Sequence, residues 1–218
     1  MGGRVARLLT ALCAGLLLCV GCAAAPTVGS GQITTENRPV QGFNAIDLAS
    51  VGKVNLRQTG TDSVKVSADD NVMPKVMTEL SGQTLRLSVR SDLPVNVNLT
   101  YDITVRDLAG ITLSGPGAIT ATDINTSALA VQLPGAGAIM TSGRAANLSV
   151  DLSGAGNFDG AGLTADTARV SVSGAGKSVV HAEQSLDASV SGIGSIEYIG
   201  QPRVTTKVTG AGSIEKHA

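Results

Sequence analysis

The chain has little aromatic side-chain area and few histidines: no Trp, two Tyr, two Phe and two His among 218 residues. Enzymes that process sugars usually cluster acidic groups in a groove beside aromatic platforms, so a polysaccharide-active enzyme is only a distant alternative. His181 and His217 lie in no spacing typical of a metal site or a catalytic triad. We therefore expect no catalytic residue, no metal site and no cofactor.

Cysteine is absent after Cys22, since the other two cysteines are Cys13 and Cys19. The rest of the chain can therefore contain no disulfide, thiol nucleophile or cysteine-bound metal. Charged residues make up 15% of the sequence and the formal net charge is −1. This balance provides no basic surface, so we expect no nucleic-acid partner.

The first 21 residues are typical of a signal peptide, because Arg4 and Arg7 precede the short apolar run "LLTALCAGLLLCV". The run leads into "LCVGC", which resembles a bacterial lipobox with Cys22 as the residue that receives diacylglycerol. Cys19 stands where leucine is usual. We expect an exported protein that is anchored in the bacterial cell membrane through Cys22. An ordinary secretory signal cleaved near "CAAAP" and an N-terminal membrane anchor are the alternatives.

Residues 22–39 are small and polar, and they predict a lipidated N-terminus followed by a flexible tether. From residue 40 the chain alternates apolar and polar residues in short runs such as "KVNLRQ" and "QTLRLSVRS", which is typical of half-buried strands. The one helix candidate, "DDNVMPKVMTEL", contains Pro74 and predicts at most a turn or two of helix. We therefore predict a single β-domain over residues 40–218.

The second half of the sequence is a repeat array. Six Gly-x-Gly steps, from Gly115/Gly117 to Gly210/Gly212, recur at intervals of 18 to 20 residues. Each step is flanked by apolar positions in constant register. The preceding positions are Leu113, Leu133, Leu152, Val172, Val190 and Val208, and the following ones are Ile119, Ile139, Phe158, Ile196 and Ile214. Ser178 interrupts the second series, where the neighbouring Val179 is the expected replacement.

Such a period predicts an all-β fold, a parallel right-handed β-solenoid in which equivalent apolar residues stack inside the tube. The Gly-x-Gly steps mark corners. We expect one glycine of each step to take a positive φ and both to keep side chains away from a crowded edge.

The residues between the buried positions of each strand should point outward. This set comprises Ser149, Asp151, Arg169, Ser171, Ser189, Ser191 and Lys207. Because the core columns fill the tube, we expect function to lie on this exposed polar surface rather than in a deep pocket. Few aromatic residues are available as binding hot spots, so we expect weak, multivalent contact.

The recurring "SGxG", the opening "FNAIDLASVGKVNLRQ", and "LRLSV" followed by "ITVRDLAGITLSGPGAIT" resemble the bacterial GIN domain (putative auto-transporter adhesin, head GIN domain). The resemblance extends from about Phe43 to Ile214. It implies an exported, often lipid-anchored protein with a fold like a parallel β-helix, and it supplies no catalytic residue. We expect an adhesin or binding module whose partner is an envelope polysaccharide or a protein. The alternative is a structural or envelope-maintenance protein with no specific ligand.

Overall fold

The computed structural model describes residues 28–90 and 96–217. The predicted signal peptide, residues 1–21, and the predicted lipidation site, Cys22, lie outside the described residues. Within the described part of the chain, no helix is long and apolar enough to cross a membrane.

The described residues fold almost entirely into strands, as predicted, and these strands form one sheet of 15. The helix candidate containing Pro74 forms only a short 3-10 turn, Met73–Lys75. The strands are β1 (Ile33–Arg38), β2 (Ala45–Leu48), β3 (Lys53–Gln58), β4 (Ser63–Asp69), β5 (Val76–Ser81), β6 (Thr84–Val89), β7 (Leu99–Val105), β8 (Gly110–Leu113), β9 (Ala118–Gln132), β10 (Ala138–Leu152), β11 (Asn157–Val172), β12 (Lys177–Val190), β13 (Ser195–Ile199), β14 (Arg203–Val208) and β15 (Ser213–Lys216).

The sheet winds into a β-solenoid with two main ladders, which confirms the predicted fold class. Face A contains β1, β4, β7, β3, the first parts of β9 to β12, and then β13 and β15. Face B contains β5, β6, β2, β8, the later parts of β9 to β12, and β14. From β8 onward all neighbouring strands are parallel.

The first coils do not stack in chain order. Strand β2 lies between β6 and β8, and β3 lies between β7 and β9. After β1, which is the outermost strand of face A, the chain therefore enters the stack with β2 and β3 and returns to the outer end with β4 to β6. It then passes β3 and β2 again as β7 and β8 before entering the repeat array. The outer end also departs from a purely parallel solenoid, because β1–β4, β4–β7 and β5–β6 are antiparallel pairs.

The predicted apolar columns form the core of the solenoid. Leu113, Leu133, Leu152, Val172 and Val190 are fully buried, whereas Val208 in the last coil is 47% exposed. In the second column, Ile119, Ile139, Phe158 and Ile196 are buried and Ile214 is partly buried. Stacking of equivalent residues on neighbouring strands produces this continuous interior.

Ser178, rather than Val179, occupies the gap in the second column, which corrects the prediction. Ser178 is fully buried and pairs in register with Phe158 on one side and Ile196 on the other. The small serine is compatible with the bulky ring of Phe158, which also lies over Gly160. Because the register of the ladder does not shift at this position, the side chain of Val179 must point away from the core.

The glycines of the repeated steps do not take a positive φ, so that part of the prediction is wrong. Their role is steric. A Cβ added to Gly135 would lie 2.5 Å from the carbonyl oxygen of Gly115 in the previous coil. Hydrogen bonds connect each corner to the corner of the previous coil, as in the bond from Ala155 N–H to Gly135 O, at 3.2 Å. The backbones therefore approach too closely to admit a side chain.

The prediction of a flexible tether over residues 22–39 is wrong for Ile33–Arg38, because this segment forms β1 and pairs with β4 over six residues. Asp69 at the end of β4 also holds the segment before β1, since its buried carboxylate accepts hydrogen bonds from Gly31 N–H (2.9 Å) and Asn98 N–H (2.7 Å). These bonds, with the Asn98 backbone contribution the largest, lower the pKa of Asp69. Backbone pairing can order a polar strand that has no apolar pattern.

Candidate functional site

The outward side of face B carries three stacked columns of mainly polar residues, which we call the polar face. The first column contains Ala130, Ser149, Arg169, Asp187 and Thr205. The second contains Thr112, Gln132, Asp151, Ser171, Ser189 and Lys207. The third follows the corners with Ser114, Pro134, Ser153, Ser173, Ser191 and Thr209.

The fold places the seven residues predicted to point outward together on the polar face. Six of them are exposed and Ser189 is half-buried. Neighbouring strands lie about 4.8 Å apart, and alternate residues along a strand lie about 6.7 Å apart. The polar face is therefore a nearly rectangular array of short side chains.

The corner column was largely missed by the sequence reasoning, which included only Ser191 from it. Its constant serine or threonine immediately before the first glycine of most steps would have identified it. The register places this column beside the second one, so that Ser171 and Ser173 lie next to Ser189 and Ser191. Four hydroxyl groups thus occupy adjacent positions of two coils.

These hydroxyl groups are available to a ligand. Among the described residues, the side chains of Ser153, Ser171, Ser173, Ser189 and Ser191 form no hydrogen bond. At the other end of the corner column, by contrast, Ser114 donates a hydrogen bond to Asp47 (2.7 Å), whose carboxylate also pairs with Arg86 (3.3 Å). The unpaired hydroxyls therefore belong to the repeat array.

An open groove of about 450 Å³ adjoins these columns on the same side of the solenoid. Ala130, Ser149, Arg169 and Asp187 are among the residues that line it. Arg169 and Asp187 form an exposed ion pair at 3.5 Å. Thr167 and Asn147 also line the groove, and the Thr167 hydroxyl donates a hydrogen bond to Oδ1 of Asn147 (2.8 Å). The groove lining is mainly apolar, with Asn147, Ser149 and Thr167 as its neutral polar residues and one charged pair.

The two histidines lie away from this array. His181 is paired with Glu183 at 3.0 Å. The backbone N–H of His217 donates a hydrogen bond to Tyr198 O, and its Nδ1 lies 2.8 Å from Oε2 of Glu197. Hydrogen bonds from Lys177, and secondarily from His217, lower the pKa of Glu197.

No group of three or more His, Cys, Asp or Glu side chains suited to holding a metal ion occurs in the described part of the chain.

The sequence that forms the solenoid matches a known family. The family model described as "Putative auto-transporter adhesin, head GIN domain" matches residues 42–202. The chain therefore belongs to the GIN-domain family, as the repeated corner sequence predicted. A search of curated proteins finds no similar sequence.

Solved structures share the fold. A putative adhesin from Bacteroides fragilis NCTC 9343 is 27% identical, with a TM-score of 0.69, and the match covers 87% of this chain and 99% of that one. A putative lipid binding protein from Parabacteroides distasonis ATCC 8503 is 20% identical, with a TM-score of 0.53 and coverage of 88% and 99%. The family and the first of these relatives are described as adhesins rather than as enzymes.

Proposed function

We propose that the chain is a cell-envelope adhesin that binds a repetitive, hydroxyl-rich polymer, an envelope polysaccharide, along the polar face. The observation that carries the proposal is the array of exposed serine hydroxyls without hydrogen-bond partners on neighbouring coils. A repeated surface suits a repeated ligand, because each coil presents similar groups at a constant spacing.

The contact chemistry favours a neutral polar ligand. Serine hydroxyls both donate and accept hydrogen bonds, as sugar hydroxyls do. The polar face lacks Trp, Tyr and Phe, the side chains that dominate compact high-affinity interfaces. Each coil therefore contributes little, and useful affinity arises when several coils engage one polymer at the same time.

We propose further that the protein is exported and lipid-anchored at Cys22, facing the extracytoplasmic side. The support is the lipobox-like "LCVGC" after an apolar run, together with membership in a family described as adhesin heads. Mass spectrometry of the mature N-terminus tests the anchor. A diacylglyceryl-modified Cys22 is expected, and an unmodified N-terminus at another residue would contradict it.

Binding is tested with the full chain, purified in mild detergent, against purified cell-envelope polysaccharide immobilised on a sensor surface. The expected result is saturable binding that is reversed by the same polysaccharide in solution and insensitive to salt, since hydrogen bonds rather than charges hold the ligand. Absence of saturable binding would favour the alternative, a structural envelope protein with no specific ligand. Saturable binding only to envelope protein would identify a protein partner instead.

A further inference from the structure

The last coil, formed by β14 and β15, leaves its core positions uncovered. Val208 is 47% exposed, whereas Val190 and Val172 at the equivalent positions of the two preceding coils are fully buried. Val204 and Ile214 are only partly buried. Within the described part of the chain, β14 pairs only with β12 and β15 only with β13, so each strand has a free outer edge. We call this surface the C-terminal edge.

The opposite end of face A is protected against edge pairing. There β1 is the outer strand, and its register with β4 places Glu36 and Arg38 opposite the core residues Val66 and Val64. Glu36 and Arg38 therefore lie on the core side of β1, where they form a partly exposed ion pair at 2.9 Å. Inward-pointing charges on an outer strand are a recognised defence against strand addition. On the C-terminal edge, β14 has no such charge, because its inward positions are Val204, Thr206 and Val208. Strand β15 carries Lys216 on the same side as Ile214.

We propose that the C-terminal edge binds a second copy of the chain, forming a two-fold dimer in which β14 pairs with the β14 of the partner in antiparallel orientation. A two-fold interface uses the same surface on both copies, so the strand must complement itself.

The sequence of β14 meets that requirement in one register. With the two-fold axis at Thr206, Val204 faces Val208 of the partner subunit on the core side. On the outer side Thr205 faces Lys207 of the partner subunit. No like charges oppose each other, and each valine exposed in the single chain gains an apolar neighbour. Moving the axis to Thr205 would set Arg203 against Lys207 of the partner subunit, which like-charge repulsion disfavours.

Head-to-tail stacking does not fit the two ends equally well. In such a stack β15 of one copy would meet β1 of the next, and Glu36 and Arg38 would be buried against Ile214. Burying charges against an apolar side chain is costly even when they are paired. The two-fold arrangement avoids this and closes after two copies.

Two substitutions in neighbouring residues test the dimer with the same change of charge. Thr206→Glu places two carboxylates against each other at the axis, whereas Thr205→Glu places a carboxylate opposite Lys207 of the partner subunit. Both residues are exposed in the single chain, so both variants should fold, which circular dichroism checks. The full chain is purified in mild detergent, and the polypeptide mass within the micelle is measured by light scattering across a concentration series.

The expected polypeptide mass is that of two mature chains for the wild type and for Thr205→Glu, and that of one mature chain for Thr206→Glu. A wild type that stays a single chain at every concentration would overturn the proposal. So would a dimer that survives Thr206→Glu, because the contact would then lie elsewhere. Loss of the dimer in both variants would exclude the register, and a mass that grows beyond two chains would indicate head-to-tail stacking instead.

Discussion

Replacing Gly174 with alanine should destabilise the solenoid, although the change adds only one methyl group. The new Cβ would collide with the carbonyl oxygen of Gly154 and lie 2.8 Å from that of Ser153. The Gly154 carbonyl cannot move aside freely, since it accepts a hydrogen bond from Ala175 N–H at 3.1 Å. Overpacking costs about 1–3 kcal/mol and a lost hydrogen bond about 1 kcal/mol. The free energy of unfolding should therefore fall by about 2–4 kcal/mol.

For a domain of this size, that loss corresponds to a melting temperature lower by about 4–16 °C. Thermal unfolding followed by circular dichroism measures it. Ala175→Ser is the matched control, because Ala175 lies in the same corner but is exposed, and its change should stay within about 0.5 kcal/mol. Equal melting temperatures for Gly174→Ala and Ala175→Ser would refute the close-approach explanation of the repeated glycines.

Two further substitutions test the core and the outer end. Leu152→Asp puts a carboxyl group into the buried column and should lower the free energy of unfolding by several kcal/mol. The control, Ser153→Asp on the exposed corner, should have little effect. Similar denaturation midpoints for the two variants would show that the register is wrong. Asp69 has a lowered pKa, so its contribution to stability is present above the ordinary value of 3.8 and is lost as the pH falls through the lowered pKa. Asp69→Asn should therefore melt below the wild type at neutral pH, by a margin that narrows under acid conditions; a margin independent of pH would contradict this role.

The repeat array could be predicted from the sequence because every coil must match its neighbours, so one spacing repeats in each. That is why Leu152 and Ile139 could be assigned to the core from their distance to a glycine pair. Val208 has the same sequence context as Val190, but it is exposed because no further coil among the described residues covers it. An end effect of this kind depends on neighbours in space rather than on local sequence.

The first half of the domain was harder to predict because no repeat marks its order. Nothing in "QTLRLSVRS" shows that β6 packs against the outer side of β2, which precedes it in the chain. Strand β1 was missed because its residues are polar and its stability comes from backbone pairing with β4. The positive φ expected for one glycine of each step was wrong, whereas the crowded edge expected for both glycines is confirmed. Glycine serves both purposes, and only the stacking of the coils distinguishes them.

Only part of the polar face could be predicted from the sequence. Period two identified Ser171, Ser189 and Ser191 as outward residues, but it did not include Ser153 and Ser173, which lie at the corner, where the alternation ends. Only the stacking of corner on corner shows that both columns form one surface.

The central claim, that binding is distributed over the polar face, is tested most directly by alanine variants measured against immobilised envelope polysaccharide. Ser171→Ala, Ser173→Ala and Ser189→Ala are made singly, in pairs and together, and a triple variant on face A provides the control: Thr120→Ala, Ser195→Ala and Ser213→Ala. Each lost hydroxyl should weaken binding about three- to tenfold, the value of one hydrogen bond, and the triple variant should bind more weakly than any pair. The control should bind like the wild type. Abolition of binding by one substitution, or equal loss in the face A control, would contradict a distributed polar face.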